Sequence, residues 1–245
     1  MTDGTPIRAL RWMAEGHEYF VACLKAVDDA DLLGPTALPG WTGRHLLSHV
    51  GHNARALARL AHWAETGEET PMYTSPSARV EEIEAGADWP VGRLRDFVAE
   101  EQERLSAALG GIDGERWQAS VVTAQGRTVP AATIPWLRCR EVWIHACDLP
   151  GGGDFAAFPE DFTDALIADA LVRRRGAQSL AVSVRATDRE PADGTVSEDG
   201  GDGAASETVV EGPAADLARW LTRGTASQAL RTGSGAPLPE LPAWL

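Results

Sequence analysis

Four residues, Pro150-Gly151-Gly152-Gly153, cut this 245-residue chain into two parts with different periodicities. A proline followed by three glycines interrupts a helix and weakens a strand, so no regular element is expected to run through it. Before the break, apolar residues recur at intervals of three and four. After it, a clear period of two appears, where before it only residues 117–129 alternate weakly. The chain is long enough for two small domains that each bury a core. We therefore expect domains over 1–150 and 151–245.

The N-terminal part reads as four helices. The first covers 6–28, with Ile7, Leu10, Ala14, Val21 and Leu24 as an apolar stripe. A loop, Gly34-Pro35-Thr36-Ala37-Leu38-Pro39-Gly40-Trp41, leads to Thr42, an N-cap residue for a second helix at roughly 43–66. That helix carries Leu46, Leu47, Val50, Ala54, Leu57 and Leu60, and Gly67 is its stop. Residues 68–88 read as polar and irregular. A third helix spans about 90–110 and ends at Gly110-Gly111. Residues 117–129 read as a short hairpin or an extended crossover. The fourth helix runs from about Ala131 to Asp148, with Pro135 in its first turn, where a missing N–H costs little. Four such helices with long connections predict a four-helix bundle.

The C-terminal part reads as a small α/β domain. Residues 159–176 predict a helix, Ser179–Arg185 and Glu207–Glu211 predict strands, and Pro213–Arg223 predicts a second helix. The acidic, glycine-rich stretch 189–205 reads as a hairpin loop between the strands. Its Glu198-Asp199-Gly200-Gly201-Asp202 run lacks the ligand pattern of an EF-hand. Residues 237–242 read as extended. The fold class is α+β, mainly α.

Charge and cysteine usage exclude some functions. A formal net charge of −14 opposes binding to nucleic acid or an anionic membrane. No stretch reaches the ~18 unbroken apolar residues of a membrane span. Cys23, Cys139 and Cys147 are odd in number and form no CxxC, which fits a reducing compartment. The first residues carry no basic segment followed by an apolar one, so no signal peptide is read and a cytoplasmic location is expected.

Chemistry concentrates on helices two and four. Glu141 and His145 stand four apart, on one helical face. His45, His49 and His52 lie near one side of helix two. Two groups from one helix and a histidine from another could hold a divalent metal with a position left open, as a catalytic metal requires. The same residue types also occur as caps, core polar groups or surface histidines. Trp12, Trp41, Trp63, Trp136, Trp143 and Trp220 read as core or interface residues, with Trp41 as a staple at the start of helix two. Cys147 reads as a small buried residue, and Asp148 either as a partner behind a metal ligand or as a helix-end residue, the latter being preferred.

Two longer motifs carry a resemblance. Leu38-Pro39-Gly40-Trp41-Thr42-Gly43-Arg44-His45-Leu46-Leu47-Ser48-His49 with Asn53-Ala54, and Arg140-Glu141-Val142-Trp143-Ile144-His145-Ala146-Cys147-Asp148-Leu149, resemble the signature of mycothiol-dependent maleylpyruvate isomerases. The resemblance implies a DinB-like four-helix metal-binding bundle and a C-terminal α/β domain that closes over the site. It implies His49, Glu141 and His145 as ligands of Zn²⁺ or another divalent metal, and mycothiol as thiol cosubstrate. His45 matches a position that is often histidine, with a role in orienting a ligand or contacting substrate. His52 lies outside the pattern and is read as incidental.

The implied reaction adds the thiol to the cis double bond of maleylpyruvate, rotates the bond and eliminates the thiol to give fumarylpyruvate, as in gentisate breakdown. A dicarboxylate substrate needs a cationic clamp, and arginine binds carboxylates bidentately. The resemblance places that arginine in Trp220-Leu221-Thr222-Arg223-Gly224, where Arg223 and Gly224 stand in the reverse of the usual order. Arg219 and Arg231 are competitors. The implied partners are the dicarboxylate and mycothiol, and a monomer suffices. The open alternatives are a mycothiol S-transferase, a metal-binding protein without catalysis, and a zinc hydrolase.

Overall fold

The computed structural model describes residues 6–75, 77–178, 182–190 and 208–241. The chain separates into two compact units, Met1–Gly153 and Asp154–Leu245. Its architecture is α+β and mainly α.

The first unit contains α1 (Ile7–Lys25), α2 (Gly43–Thr66), α3 (Ala78–Ala87), α4 (Val91–Gly110) and α5 (Ile134–Ala146). Helix α2 starts because Thr42 is extended and a cap closes there. The Thr42 N–H donates to His45 Nδ1 at 3.2 Å, and the Thr42 hydroxyl meets the same nitrogen at 2.7 Å. It stops at Gly67, whose φ of +79° favours glycine, with its N–H on the Trp63 carbonyl. Leu46, Leu47, Val50, Ala54, Leu57 and Leu60 are all fully buried, as the stripe predicted. Helix α2 packs on α4 and α5, and α1 packs on α5.

Small residues set these close approaches. A Cβ at Gly51 would stand 2.4 Å from the Phe97 ring, so α2 and α4 meet at glycine. Trp143 seals α1 against α5, donating its indole N–H to the Trp12 carbonyl at 2.9 Å.

Two expectations for this unit change. Residues 78–87 are helical rather than irregular. Helix α3 buries Ala78, Ile83, Gly86 and Ala87 against its neighbours, so its apolar face is made mostly of small residues that leave a weak pattern. The start of the fourth helix is split. Ala131–Thr133 form one 3₁₀ turn, and the α-helix begins at Ile134 with Pro135 in its first turn. Between α4 and α5, β1 (Ser120–Val122) and β2 (Thr128–Pro130) form an antiparallel hairpin, one of the two forms expected there.

The second unit contains α6 (Glu160–Gln178), β3 (Val182–Ala186), β4 (Thr208–Gly212), α7 (Ala214–Arg223) and β5 (Arg231–Thr232). The sheet order is β3-β4-β5. Val182 pairs with Thr208 and Ala186 with Gly212, so β3 and β4 run parallel. This corrects the hairpin reading of 189–205, because parallel strands require a crossover. Residues 191–207, including the acidic run, lie outside the described residues. Strand β5, in a stretch for which the sequence pattern gives no element, pairs antiparallel with β4. Helices α6 and α7 pack together, and the buried Arg174 donates from Nε to the Leu221 carbonyl at 2.7 Å. No described helix is long and apolar enough to cross a membrane.

Candidate metal centre

Helix α2 presents His49 and helix α5 presents Glu141 and His145 to one point. His49 Nε2 stands 2.9 Å from Glu141 Oε2, and His145 Nε2 stands 3.2 Å from the same oxygen. The three donor atoms lie within 4.8 Å of one another, and they are the one such cluster among the described residues. The imidazole planes are nearly perpendicular, 87° apart, with centroids 4.9 Å apart. Two nitrogens and one oxygen converging from two helices make a donor set suited to a divalent metal such as Zn²⁺.

The surroundings hold these groups in place. Asp148, buried at the end of α5, contacts His145 Nδ1 through Oδ2 at 2.7 Å. An ionised carboxylate only accepts, so it fixes the proton on Nδ1 and leaves the Nε2 lone pair facing the cluster. Of the two readings of Asp148, the preferred helix-end one leaves this contact out and the other includes it. An i,i+3 spacing at the C-terminus of α5 was its one sequence signal. Trp41 was read as a staple, but its ring lies 5.3 Å from that of His49 and walls the cluster.

Electrostatics follow from burial and proximity. Burial pushes His49 down to about 4; Glu141 opposes this, while His145 and Arg79 add to it. Burial also disfavours ionised Glu141, but hydrogen bonds and charge from His145 and His49 outweigh it and hold the carboxyl well below its usual range. Burial lowers His145 as well, and there Asp148 and Glu141 win, so its basicity rises. One carboxylate thus sits ionised between two rings that differ in proton affinity.

The other candidates are placed elsewhere. His45 is occupied by the cap of α2, and its Nε2 stands 3.4 Å from Glu84 Oε2 on α3. His52 is buried against Phe97, with ring centroids 4.8 Å apart, and its Nδ1 is 3.2 Å from Glu82 Oε2. It is not part of the three-residue cluster. In the second unit, Arg231 pairs with Glu211 at 3.4 Å and Arg219 with Asp154 at 3.2 Å. Arg223, half-buried at the end of α7, donates to the Thr222 carbonyl at 3.2 Å. Cys147 is half-buried, with its thiol toward the Trp143 carbonyl.

Known proteins share this arrangement of chain. Residues 13–150 match the family model described as the mycothiol maleylpyruvate isomerase N-terminal domain. A crystal structure of the mycothiol-dependent maleylpyruvate isomerase is 36% identical, with a TM-score of 0.84, over 98% of this chain and 97% of that one. A crystal structure of a histidine-to-alanine mutant of the mycothiol-dependent maleylpyruvate isomerase is 35% identical, with a TM-score of 0.85 and the same coverage. No curated protein matches the chain.

Proposed function

The chain belongs to the mycothiol maleylpyruvate isomerase family and is an isomerase, and from that premise we propose that it converts maleylpyruvate to fumarylpyruvate with mycothiol as a returned cosubstrate. The observation that carries this reading is the convergence of His49, Glu141 and His145 in a chain similar to such an enzyme from end to end. We assign those three residues as ligands of Zn²⁺. A divalent cation held there ionises a coordinating thiol at neutral pH, whereas a free thiol of pKa ~8.5 stays mostly protonated.

The reaction needs no net oxidation. The sulfur forms a bond to one alkene carbon as the π pair moves to the conjugated carbonyl. The remaining single bond rotates. The pair then returns, the C–S bond breaks, and the thiolate leaves the trans alkene.

The chain's own residues prepare this. Glu141 is a fixed anion between the imidazoles, and Asp148 holds His145 in the tautomer that directs Nε2 inward. Trp41 covers the His49 ring and limits water. His45 acts as a positioning residue, since its cap sets the first turn of the helix that bears His49. To Arg223 we assign a substrate carboxylate, on the strength of the motif at the end of α7.

The test is a product assay with maleylpyruvate, with and without mycothiol, on the zinc-loaded protein. Fumarylpyruvate formed only with the thiol is the expected result, with a raised KM in Arg223→Ala. No isomerisation above the thiol-only background sinks the proposal. Accumulation of a stable thioether would instead identify an S-transferase.

Asp148→Ala gives a second expected result. It leaves the His145 Nδ1–H without its carboxylate, so zinc affinity should fall by about 10- to 100-fold. Competition with a chromophoric chelator measures this, and unchanged affinity would return Asp148 to a purely helix-end role.

A further inference from the structure

An open depression of about 360 Å³ lies between α2 and α4, lined by basic groups in a chain of net charge −14. Helix α2 supplies Arg55, Arg59 and His62, which share a face because they recur at intervals of four and three. Helix α4 supplies Arg104 and the buried Glu101, and Thr70 closes one side. None of these residues belongs to the cluster of His49, Glu141 and His145.

The guanidiniums are held in place without being neutralised one by one. Arg55 Nη2 and Arg104 Nη1 donate to the same oxygen, Glu101 Oε1, at 2.8 and 2.6 Å. Arg55 also stacks on the Phe97 ring, its Cζ 4.7 Å from the centroid, which fixes its plane. Arg59 Nη1 donates to the neutral Met72 carbonyl at 2.6 Å, and the Thr70 hydroxyl donates back to the Arg59 carbonyl at 2.7 Å. The segment 70–72 is thereby fastened to α2 as a wall.

Three arginines thus line the depression against one lining carboxylate. The other acids nearby have calls of their own. Glu82 of α3 stands 4.0 Å from Arg59 but 3.2 Å from His52. A neighbouring depression sets Glu100 and Glu103 beside Arg104, and Glu100 is paired with Arg93 at 3.2 Å. Each lining guanidinium spends one N–H on the protein and presents the others outward. Donors that arrive from two helices suit a tetrahedral dianion, which accepts on every side, better than a planar carboxylate. The volume stands at the low end of the ~300–1,000 Å³ of small-molecule sites.

We propose that Arg55, Arg59 and Arg104 form a binding site for a phosphate-type oxyanion, separate from the metal centre. Glu101 is its buried anchor: it holds two of the guanidiniums at a fixed spacing and leaves the group with a positive excess.

The experiment titrates inorganic phosphate, glycerol 3-phosphate and acetate into the zinc-loaded full chain at constant ionic strength, followed by calorimetry. Phosphate should bind and acetate should bind more weakly. Arg59→Gln should weaken phosphate about 10-fold and the more exposed Arg104→Gln about 3-fold, with zinc content and melting temperature unchanged. Arg93→Gln, which removes the same charge outside the depression, should bind phosphate as wild type does. Tighter binding of the ester supports a phosphorylated small molecule as occupant, and equal binding supports free phosphate. A wild-type chain that takes up no phosphate at millimolar concentration overturns the proposal. So does acetate binding as tightly as phosphate, or an Arg93→Gln loss as large as that of Arg59→Gln. Phosphate binding that survives in both Arg59→Gln and Arg104→Gln but disappears with the zinc also overturns it, since the metal would then be the site.

Discussion

Glu141→Ala is expected to abolish thiol-dependent isomerisation and to release the metal. Glu141 is the one anion of the cluster, and its Oε2 is the atom both histidines approach, at 2.9 and 3.2 Å. Without it, two imidazoles remain, and no carboxylate offsets the charge of a divalent cation. Because outer partners of a metal site alone are worth about 10- to 100-fold, loss of this ligand should cost more than about 100-fold in affinity. Activity should drop to the thiol-only background. Metal content after gel filtration, read by atomic absorption alongside the product assay, checks both. A Glu141→Ala protein that keeps stoichiometric zinc would refute the ligand assignment. Glu141→Gln separates charge from shape, since its amide fills the same space but binds the cation weakly.

The largest loss of stability is expected from Arg138→Leu. Arg138 is fully buried yet charged, with burial lowering its pKa only to about 10 against the favourable field of Glu141. Its Nε donates to Gln102 Oε1 at 2.9 Å on α4. Its Nη1 donates to the Val50 carbonyl at 2.8 Å and to Asn53 Oδ1 at 2.9 Å on α2. Leucine leaves the buried side-chain oxygens of Gln102 and Asn53 without this donor and the Val50 carbonyl with its helical N–H alone. Removing one member of a buried charged network costs about 3–5 kcal/mol. Urea unfolding should show that loss as a lower midpoint with an unchanged slope. A change below about 1 kcal/mol would mean that the acceptors find other donors. Replacing Arg138, Gln102 and Asn53 together by apolar residues should recover much of the loss, because the desolvation cost disappears with the unpaired groups.

The helices that bear the cluster were readable because burial and breakers agree. Thr42 and Gly67 mark the ends of α2, and its leucines mark the buried side. Glu141 and His145 share a face by spacing, while their meeting with His49 required α2 and α5 to pack, which spacing alone does not encode. Helix α3 was hidden because alanine and glycine form most of its buried face. The parallel pairing of β3 and β4 was hidden for another reason. Alternation of apolar residues reports which face is buried and is silent on strand direction. The Asp148 contact depends on how the chain turns after Ala146, a detail below the reach of periodicity.

Arg138 ties α5 to α2 and α4 through bonds between protein groups alone, one helical turn before Glu141. The pocket walls are therefore fixed before any ion arrives. Small zinc domains that fold around their metal denature when a chelator removes it. This chain is built the other way. Its apo form should remain folded and await loading, so stripping with chelator and refilling with a different divalent ion becomes a reversible exchange, and the identity of the ion in a cell is decided by supply after folding is complete.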